Sequence, residues 1–508
     1  MKNFFRYVLA VFKPEKKVLI TFLLGALSVT AFAPFHFAPA AVASLVGLFW
    51  FWSQATSRLE GFKLGLWFGL GQFGFGVSWL ISSIYLYAEV PLVLAVLATF
   101  IFILFLSLYV GFAGWVAAYF SKSERPYFNA LLVFPLAWVS FEWLRGSLFG
   151  GFPFLLMGNS HLDTWLDGYA PIFGVLGVSW AIALTASALL LIVTQKAWVG
   201  ASSLLALVWL SASGLQKIEW VTPVGPPARV ALVQGNIPQE QKWQAKALLP
   251  SLKTYVGLTK QHMDADIIVW PETAVASYFD VVEKGALHSF IKDAKLLETD
   301  ILMGVITRNA DKTQYYNAIV NAHNPEQVYQ KSHLVPFSEF FPFSSVLSAL
   351  SKLFNVPFSE FTPGDAMQKP MQLGAFKVGL SVCYEMSFGE ELAEQLQDAQ
   401  FLVTVSNDAW FAHTFEPAQQ LQEVQMRALE LGREIARSTN TGFTAIVDVK
   451  GRIKQEIPAY KTGVLKGEVQ PYEGTTPFVY WQQMPLLFLF CVLYGFLLAP
   501  RFILKRPS

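Results

Sequence analysis

Three residues in the second half of this 508-residue chain have types and settings that could do covalent chemistry. Cys383 ends the apolar run FKVGLSVCYE and is followed at once by Tyr384 and Glu385, so a strand-like segment runs out into polar ground. A thiolate there would be a nucleophile, although a cysteine in such a run is otherwise a small buried apolar residue. Glu272 ends IIVWPETA, where four apolar residues and a turn-forming proline deliver a carboxylate to a second strand end. Trp270 beside it would shield the carboxylate from water, which suits a general base; an exposed turn acid is the plainer alternative. Lys331 lies in YQKSHLVPFSEFFP, eight residues before Glu339. Lone lysines are mostly solvated, but an ammonium held by acids stays charged and can stabilise an oxyanion.

Such residues need rigid strand ends to present them. The apolar runs Arg229–Gln234, Asp266–Trp270, Asp300–Ile306, Phe376–Val382 and Phe401–Val405 read as buried strands. Helical stretches alternate with them, among them Ala245–Met263 and Pro417–Arg437. In the latter, Leu421, Val424, Ala428, Leu431 and Ile435 recur at three- and four-residue spacing. Alternating strands and helices predict an α/β domain, and in open α/β sheets chemistry gathers at the carboxyl ends of strands.

The rest of the chain is different in kind. Hydrophobic residues make up 54% of the whole and charged ones 14%, against about a quarter charged in a soluble chain. Residues 1–213 carry 11 cations and 7 acids; residues 214–480 carry 23 and 29, a net of −6. This predicts a transmembrane bundle over 1–213, a water-soluble catalytic domain over 214–480, and a final span with a short tail over 481–508. Val18–Ser57 is uncharged for 40 residues, roughly 60 Å of helix and enough for two crossings. Leu64–Ala88, Val90–Ser121, Pro126–Phe141, Gly168–Gln195 and Ala197–Gln216 add five, and Thr475–Pro500 closes the set at about eight. Cations before the first span and after the second, fourth, sixth and eighth fall on one side if that side is the cytoplasm, which leaves 214–480 outside. The basic start and Ala31-Phe32-Ala33 also fit a signal peptide, but Pro34 would follow the cut and many spans come after it.

Other features narrow the chemistry. The two cysteines, Cys383 and Cys491, are not expected to pair. No His/Cys/Asp cluster has metal-ligand spacing and no phosphate-binding glycine motif occurs, so no metal or cofactor is expected. The near-neutral charge argues against nucleic acid. Glu142 and Arg145, spaced i,i+3 at the end of the fifth span, predict either a local ion pair by an outer loop or one wall of a substrate portal. Residues 337–354, rich in phenylalanine, read as a core-packed helix or as an arm dipping into the membrane near an acyl site.

Taken in order, WPETA, KSHLVPFSEFFP and SVCYE resemble the Glu–Lys–Cys triad of the nitrilase superfamily, over roughly residues 228–468. VQGNIPQEQKW, YYNA, SNDAWF and MRALELGREIARSTNTG extend the likeness, and together with the spans the chain resembles the apolipoprotein N-acyltransferases, a membrane-bound family of that superfamily. The resemblance implies an αββα sandwich, with Glu272 as base, Lys331 as oxyanion stabiliser and Cys383 as nucleophile. It implies Glu339 and Glu385 as supporting acids, and Trp243, Asn317, Tyr384 and Trp410 as residues that line or gate the site. Ser338 stands where the family commonly has glycine, a departure that touches no catalytic position.

The implied reaction moves a fatty acyl chain from a phospholipid, phosphatidylethanolamine above all, to the N-terminal amine of a diacylglyceryl-cysteine apolipoprotein through a thioester. Its setting would be the bacterial inner membrane, with the catalytic domain periplasmic. The alternatives are a membrane-bound amidase or nitrilase that uses water on a small amide, and a non-enzymatic transporter with an outer sensor domain, in which the three reactive residues would be idle.

Overall fold

The computed structural model describes residues 15–297, 299–340, 361–395, 398–411 and 413–503. The chain divides into two units. One holds the residues up to Ser78, Val96–Glu219 and the segment from Trp481; the other holds Trp79–Ala95 and Trp220–Tyr480.

The first unit is helical and apolar. Among the described residues, four helical segments are long and apolar enough to cross a membrane: Leu92–Phe120, Pro126–Gly150, Trp165–Gln195 and Trp198–Leu215. Arg58–Gly76 reaches that standard only when joined to Leu80–Tyr87 across a 57° bend. The helices of the stretch Val18–Ser57, read as two crossings, have 14 and 15 residues, Lys16–Val29 and Pro39–Ser53, the first beginning two residues before it. Leu64–Ala88 is not one straight span. Apolar composition runs through it, but the helix stops at Gly76 and Trp79–Ala95 belongs to the other unit. There the Trp79 indole donates to Gln419 Oε1 at 3.1 Å and its ring meets Phe411 edge-on at 4.9 Å. A hydropathy window registers apolarity, not the direction of the axis, so this departure leaves no trace in it.

Packing in the first unit depends on missing side chains. Gly61, Gly65 and Gly69 recur every fourth residue of Arg58–Gly76 and face Leu92–Phe120; a Cβ on Gly65 would sit 2.2 Å from the Val110 carbonyl oxygen. On another face, a Cβ on Gly71 would sit 2.0 Å from the Phe22 carbonyl oxygen. Helices in a lipid solvent gain little by burying apolar surface against each other, so backbone-to-backbone approach supplies the contact.

The second unit is a two-sheet sandwich. In one sheet Gly463–Val469, Ala228–Gln234, Ile267–Val269, Asp300–Arg308, Tyr315–Asn321 and Val328–Gln330 lie side by side in that order, with Val275–Tyr278 also paired to Asp300–Arg308. In the other the order is Ile453–Ile457, Thr444–Val447, Ile435–Thr439, Phe401–Ser406, Phe376–Val382 and Met371–Leu373. Alternate residues of each central strand face opposite ways. Val230, Leu232, Ile267 and Val269 meet Val378, Leu380, Val403 and Val405 between the sheets. Ala231, Val233 and Ile268 pack outward under the helices Ala245–Lys260 and His288–Leu297. Leu402, Ile435 and Val447 pack outward under Glu416–Leu431. The layers are therefore α, β, β and α.

The helix expected over Pro417–Arg437 ends earlier, at Leu431. Gly432 takes φ +62°, a left-handed cap that glycine adopts without strain, and Ile435–Thr439 is a strand. The three- and four-residue apolar spacing carried on through Ile435 because that strand residue packs outward, under the same helix.

Candidate active site

Three loops at the carboxyl ends of strands bring the sequence candidates together. Glu272 follows Ile267–Val269 by three residues, and the turn that carries it is braced from both sides. The Trp270 ring is fully buried, stacks near Tyr255 and Phe290 at 5.2 and 5.4 Å, and donates to Thr259 Oγ1 at 2.8 Å. On the other side Gly304 leaves room for the turn, since a Cβ there would lie 2.2 Å from the Pro271 carbonyl oxygen. The Glu272 carboxylate is buried and fully engaged. Asn317 Nδ2 donates to Oε1 at 2.7 Å, and the Asn407 backbone N–H donates to Oε2 at 2.9 Å.

Lys331 follows Val328–Gln330, and its ammonium is 1% exposed. It lies 2.8 Å from Glu339 Oε2 and 3.9 Å from Glu272 Oε1. Burial opposes its charge, but Glu339, Glu272 and the Cys383 sulfur outweigh burial and hold it above the ordinary lysine range. Asn317 also donates to Glu339 Oε1 at 3.0 Å, so one amide spaces the two acids on either side of the ammonium.

Cys383 stands where Phe376–Val382 ends and a 3₁₀ turn, Cys383–Ser387, begins. Its φ is +54°, a left-handed conformation that costs a non-glycine residue about 1–2 kcal/mol. Burial pushes its thiol up and Glu272 adds to the rise, while Lys331 and Ser406 draw it down. The thiol is therefore neutral at rest and needs a base to activate it.

The remaining candidates take different places. Glu385 is a buried clamp. Its Oε1 accepts from the Ser332 and His333 backbone N–H at 2.6 and 3.2 Å, and its Oε2 from Val382 N–H and the Tyr329 hydroxyl at 2.6 and 2.9 Å. It thus ties the Lys331 loop to the cysteine strand. Burial raises its carboxyl, against Lys331 and these backbone donors. Tyr384 packs against His333 and Phe388, at 5.6 and 5.0 Å between rings. Trp410 meets Tyr87 edge-on at 5.9 Å, and Trp243 follows the short helix Gln239–Lys242. Phe337 is exposed and Phe340 half-buried; the rest of the phenylalanine-rich stretch, from 341 to 354, lies outside the described residues. Glu142 and Arg145 belong to the first unit, where each binds loop backbone. Met157 N–H donates to Glu142 at 2.7 Å, and Arg145 donates to the carbonyls of Phe152 and Phe154, the latter at 2.6 Å.

Four participants were not singled out from the sequence. Asn407 is fixed by Asn440 and Gln239, each at 3.0 Å, which aims its backbone N–H at Glu272. Lys242 is buried and donates to the Glu272 carbonyl oxygen at 3.0 Å; burial pushes its ammonium down to about 7, against Glu272 and Cys383. Gln420 reaches the Cys383 sulfur, and Arg437 pairs with Asp408 at 2.8 Å with both side chains fully buried. All four but Gln420 lie inside segments that carried the family resemblance, so the signal was position within a motif rather than residue type.

Beside a thiol that needs a base, a carboxylate of such a cluster can accept the thiol proton while the buried ammonium between the two acids stabilises a tetrahedral oxyanion.

Residues 24–188 match the family described as apolipoprotein N-acyltransferase N-terminal domain, and residues 229–477 match carbon-nitrogen hydrolase. The apolipoprotein N-acyltransferase of Methylococcus capsulatus is 40% identical over 493 residues, covering 96% of this chain and 96% of its own. Those of Nitrosomonas europaea and Coxiella burnetii are 37% and 36% identical, covering 91% and 92% of this chain and 93% and 97% of theirs.

Proposed function

The chain belongs to the apolipoprotein N-acyltransferase family and acylates lipoproteins, and we propose that it does so by a ping-pong reaction with a phospholipid as donor. The observation that carries this reading is the Lys331 ammonium held between Glu272 and Glu339 beside a neutral thiol. Glu272 takes the Cys383 proton as the sulfur attacks the ester carbonyl of the donor, phosphatidylethanolamine above all. Lys331 stabilises the oxyanion. The C–O bond breaks, the leaving alkoxide takes the proton from Glu272, and a lysophospholipid departs from the thioester. The α-amine of the diacylglyceryl cysteine then attacks the thioester carbonyl. The C–N bond forms, the C–S bond breaks, the electron pair returns to sulfur, and Glu272 receives the amine proton and restores the thiol. A thioester holds the acyl group at a free energy that permits amide formation without a nucleotide.

Both substrates have apolar tails in a bilayer and polar ends at its face, so the acylating groups belong at that face. In this reading the helical unit crosses the inner membrane about eight times with the N-terminus in the cytoplasm. The unit Trp220–Tyr480 is periplasmic, and Trp243, Tyr384 and Trp410 keep water from the acyl group. Glu339 and Glu385 hold the lysine and its loop in register.

The test is full-length protein in detergent incubated with acyl-labelled phosphatidylethanolamine and no acceptor. The expected result is label on Cys383 by intact mass, with a burst of roughly one lysophospholipid per enzyme. No label and no burst until an acceptor peptide is added would replace the thioester route with a ternary complex. Hydrolysis of small amides without lipid labelling would favour the amidase. Reporter fusions after Gln216 and after Lys505 are expected to read periplasm and cytoplasm.

A further inference from the structure

The helix Glu416–Leu431 lies over the sheet that carries the nucleophile, and one of its side chains touches the reacting atom. Gln420 is 1% exposed, and its Nε2 lies 3.5 Å from Cys383 Sγ, within reach of an N–H···S contact. The two ends of an amide are nearly isosteric, so its orientation must come from its partners. Here it does. Arg437 Nη2 lies 2.6 Å from Oε1, and the Ser406 hydroxyl 3.0 Å from the same atom. A guanidinium nitrogen can only donate, so the atom facing it is the carbonyl oxygen and the atom facing sulfur is the NH₂ group. Arg437 is itself held by Asp408 at 2.8 Å and by the Phe443 carbonyl at 3.2 Å, all inside the core.

We propose that Gln420 is a further catalytic residue: its side-chain amide, aimed by Arg437 and Ser406, donates a hydrogen bond to the Cys383 sulfur whenever that sulfur carries negative charge. This rests on the thioester route above. In the first half-reaction sulfur gains charge as Glu272 removes its proton; in the second it regains the electron pair of the breaking C–S bond. At both moments the donor stabilises the developing thiolate.

Lys331 and Ser406 also favour the thiolate, and Gln420 adds to them a neutral amide donor aimed at the sulfur. Glu272 and Asp408 add negative charge, Lys331 is committed to its two acids, and Lys242 bonds the Glu272 carbonyl. Around Gln420 itself stand Arg437, Asp408, Ser406 and buried Glu416, whose carboxyl burial and Asp408 push well above the usual range. Gln420 is the neutral member of this group, so its contribution does not depend on a proton of its own.

The test uses full-length protein in detergent carrying Cys491→Ala, so that Cys383 is the one remaining thiol. Gln420→Glu keeps an oxygen for Arg437 and Ser406 but removes the donor to sulfur; Gln420→Met removes both without adding charge. Alkylation of Cys383 by iodoacetamide is followed by intact mass from pH 6 to 10, alongside acyl-enzyme formation from labelled phosphatidylethanolamine. Both variants are expected to melt cooperatively. Both should alkylate and acylate about 10-fold or more slowly at neutral pH, with the alkylation profile moved to higher pH, and further in Gln420→Glu. Folded variants with parental rates and an unmoved profile would overturn the proposal. A slowed variant whose alkylation profile does not move would also overturn it, because lost packing alone would not change the thiol's titration. If the parent alkylates at Cys383 but never takes up label from lipid, the thioester route fails instead and the two failures are told apart.

Discussion

Each unit buries a glutamate and a basic residue close together, and the two pairs are satisfied in opposite ways. In the helical unit, Glu142 and Arg145 turn to main-chain groups of the loop that follows, at Met157, Phe152 and Phe154. In the sandwich, Glu272, Lys331 and Glu339 turn to one another and to Asn317, at 2.7 to 3.9 Å, around a thiol. Buried charge must be matched in either setting. Matching it with backbone fixes a loop; matching it with other side chains beside a nucleophile leaves a group whose protons can move. In the reaction proposed above the second arrangement is the catalytic one, and the first holds a loop. That excludes neither role from being essential, but it separates what substitution should change.

The largest effect should come from Cys383→Ser, which leaves the fold intact and abolishes acyl transfer, since a serine hydroxyl is far less acidic than a thiol. Transfer to an apolipoprotein peptide at the parental rate by the purified variant would remove the sandwich's half of the contrast. Next, Glu272→Gln and Lys331→Ala should each slow thioester formation by roughly 10²-fold or more, read by intact mass. Arg145→Met should act on the other side. Loss of its bonds to two buried carbonyls should cost about 2 kcal/mol and lower the melting temperature, while turnover per folded molecule stays within a few-fold. A folded Arg145→Met protein without turnover would break the contrast.

The smallest effect sharpens it and depends on pH. Unfolded, Lys242 keeps its proton to its ordinary value of 10.5; folded, only to about 7. Between those values the unfolded chain binds the extra proton, so native stability rises with pH across that window, and below about 7 the buried charge is a full penalty. Lys242→Met removes this titration. The melting temperature of the variant minus that of the parent should therefore be more favourable at pH 6 than at pH 9, by a few degrees.

Glu272 and Cys383 were legible as candidates because each lies where an apolar strand run gives way to polar residues; Lys331 has no such run before it and was picked out by the acid eight residues on and by the family resemblance. Asn317 was legible only through family resemblance, and its bridging of two acids depends on how Tyr315–Asn321 lies beside the Glu272 turn. Gln420 was not legible at all. It sits one residue before Leu421 on a helix whose apolar period is all that a sequence displays, and its partners Cys383 and Arg437 come from two other strands. Likewise, the apolar period of Pro417–Arg437 ran across Gly432 because Ile435, a strand residue that packs under the same helix, continued it. The bend after Gly76 escaped for a related reason: Leu80–Tyr87 is as apolar as a span, and only contacts such as Trp79 with Gln419 and Phe411 assign it elsewhere.

The left-handed backbone at Cys383 carries an evolutionary consequence. At φ +54° glycine is the residue without strain, and a β-branched side chain is the worst fit. Selection for acyl transfer therefore holds this position against selection for stability. A lineage released from the need for the reaction would drift first towards glycine here, gaining a sturdier and inert protein. For a lineage kept under that need, serine is closed by chemistry although it shares cysteine's unbranched Cβ, and threonine is closed by shape as well.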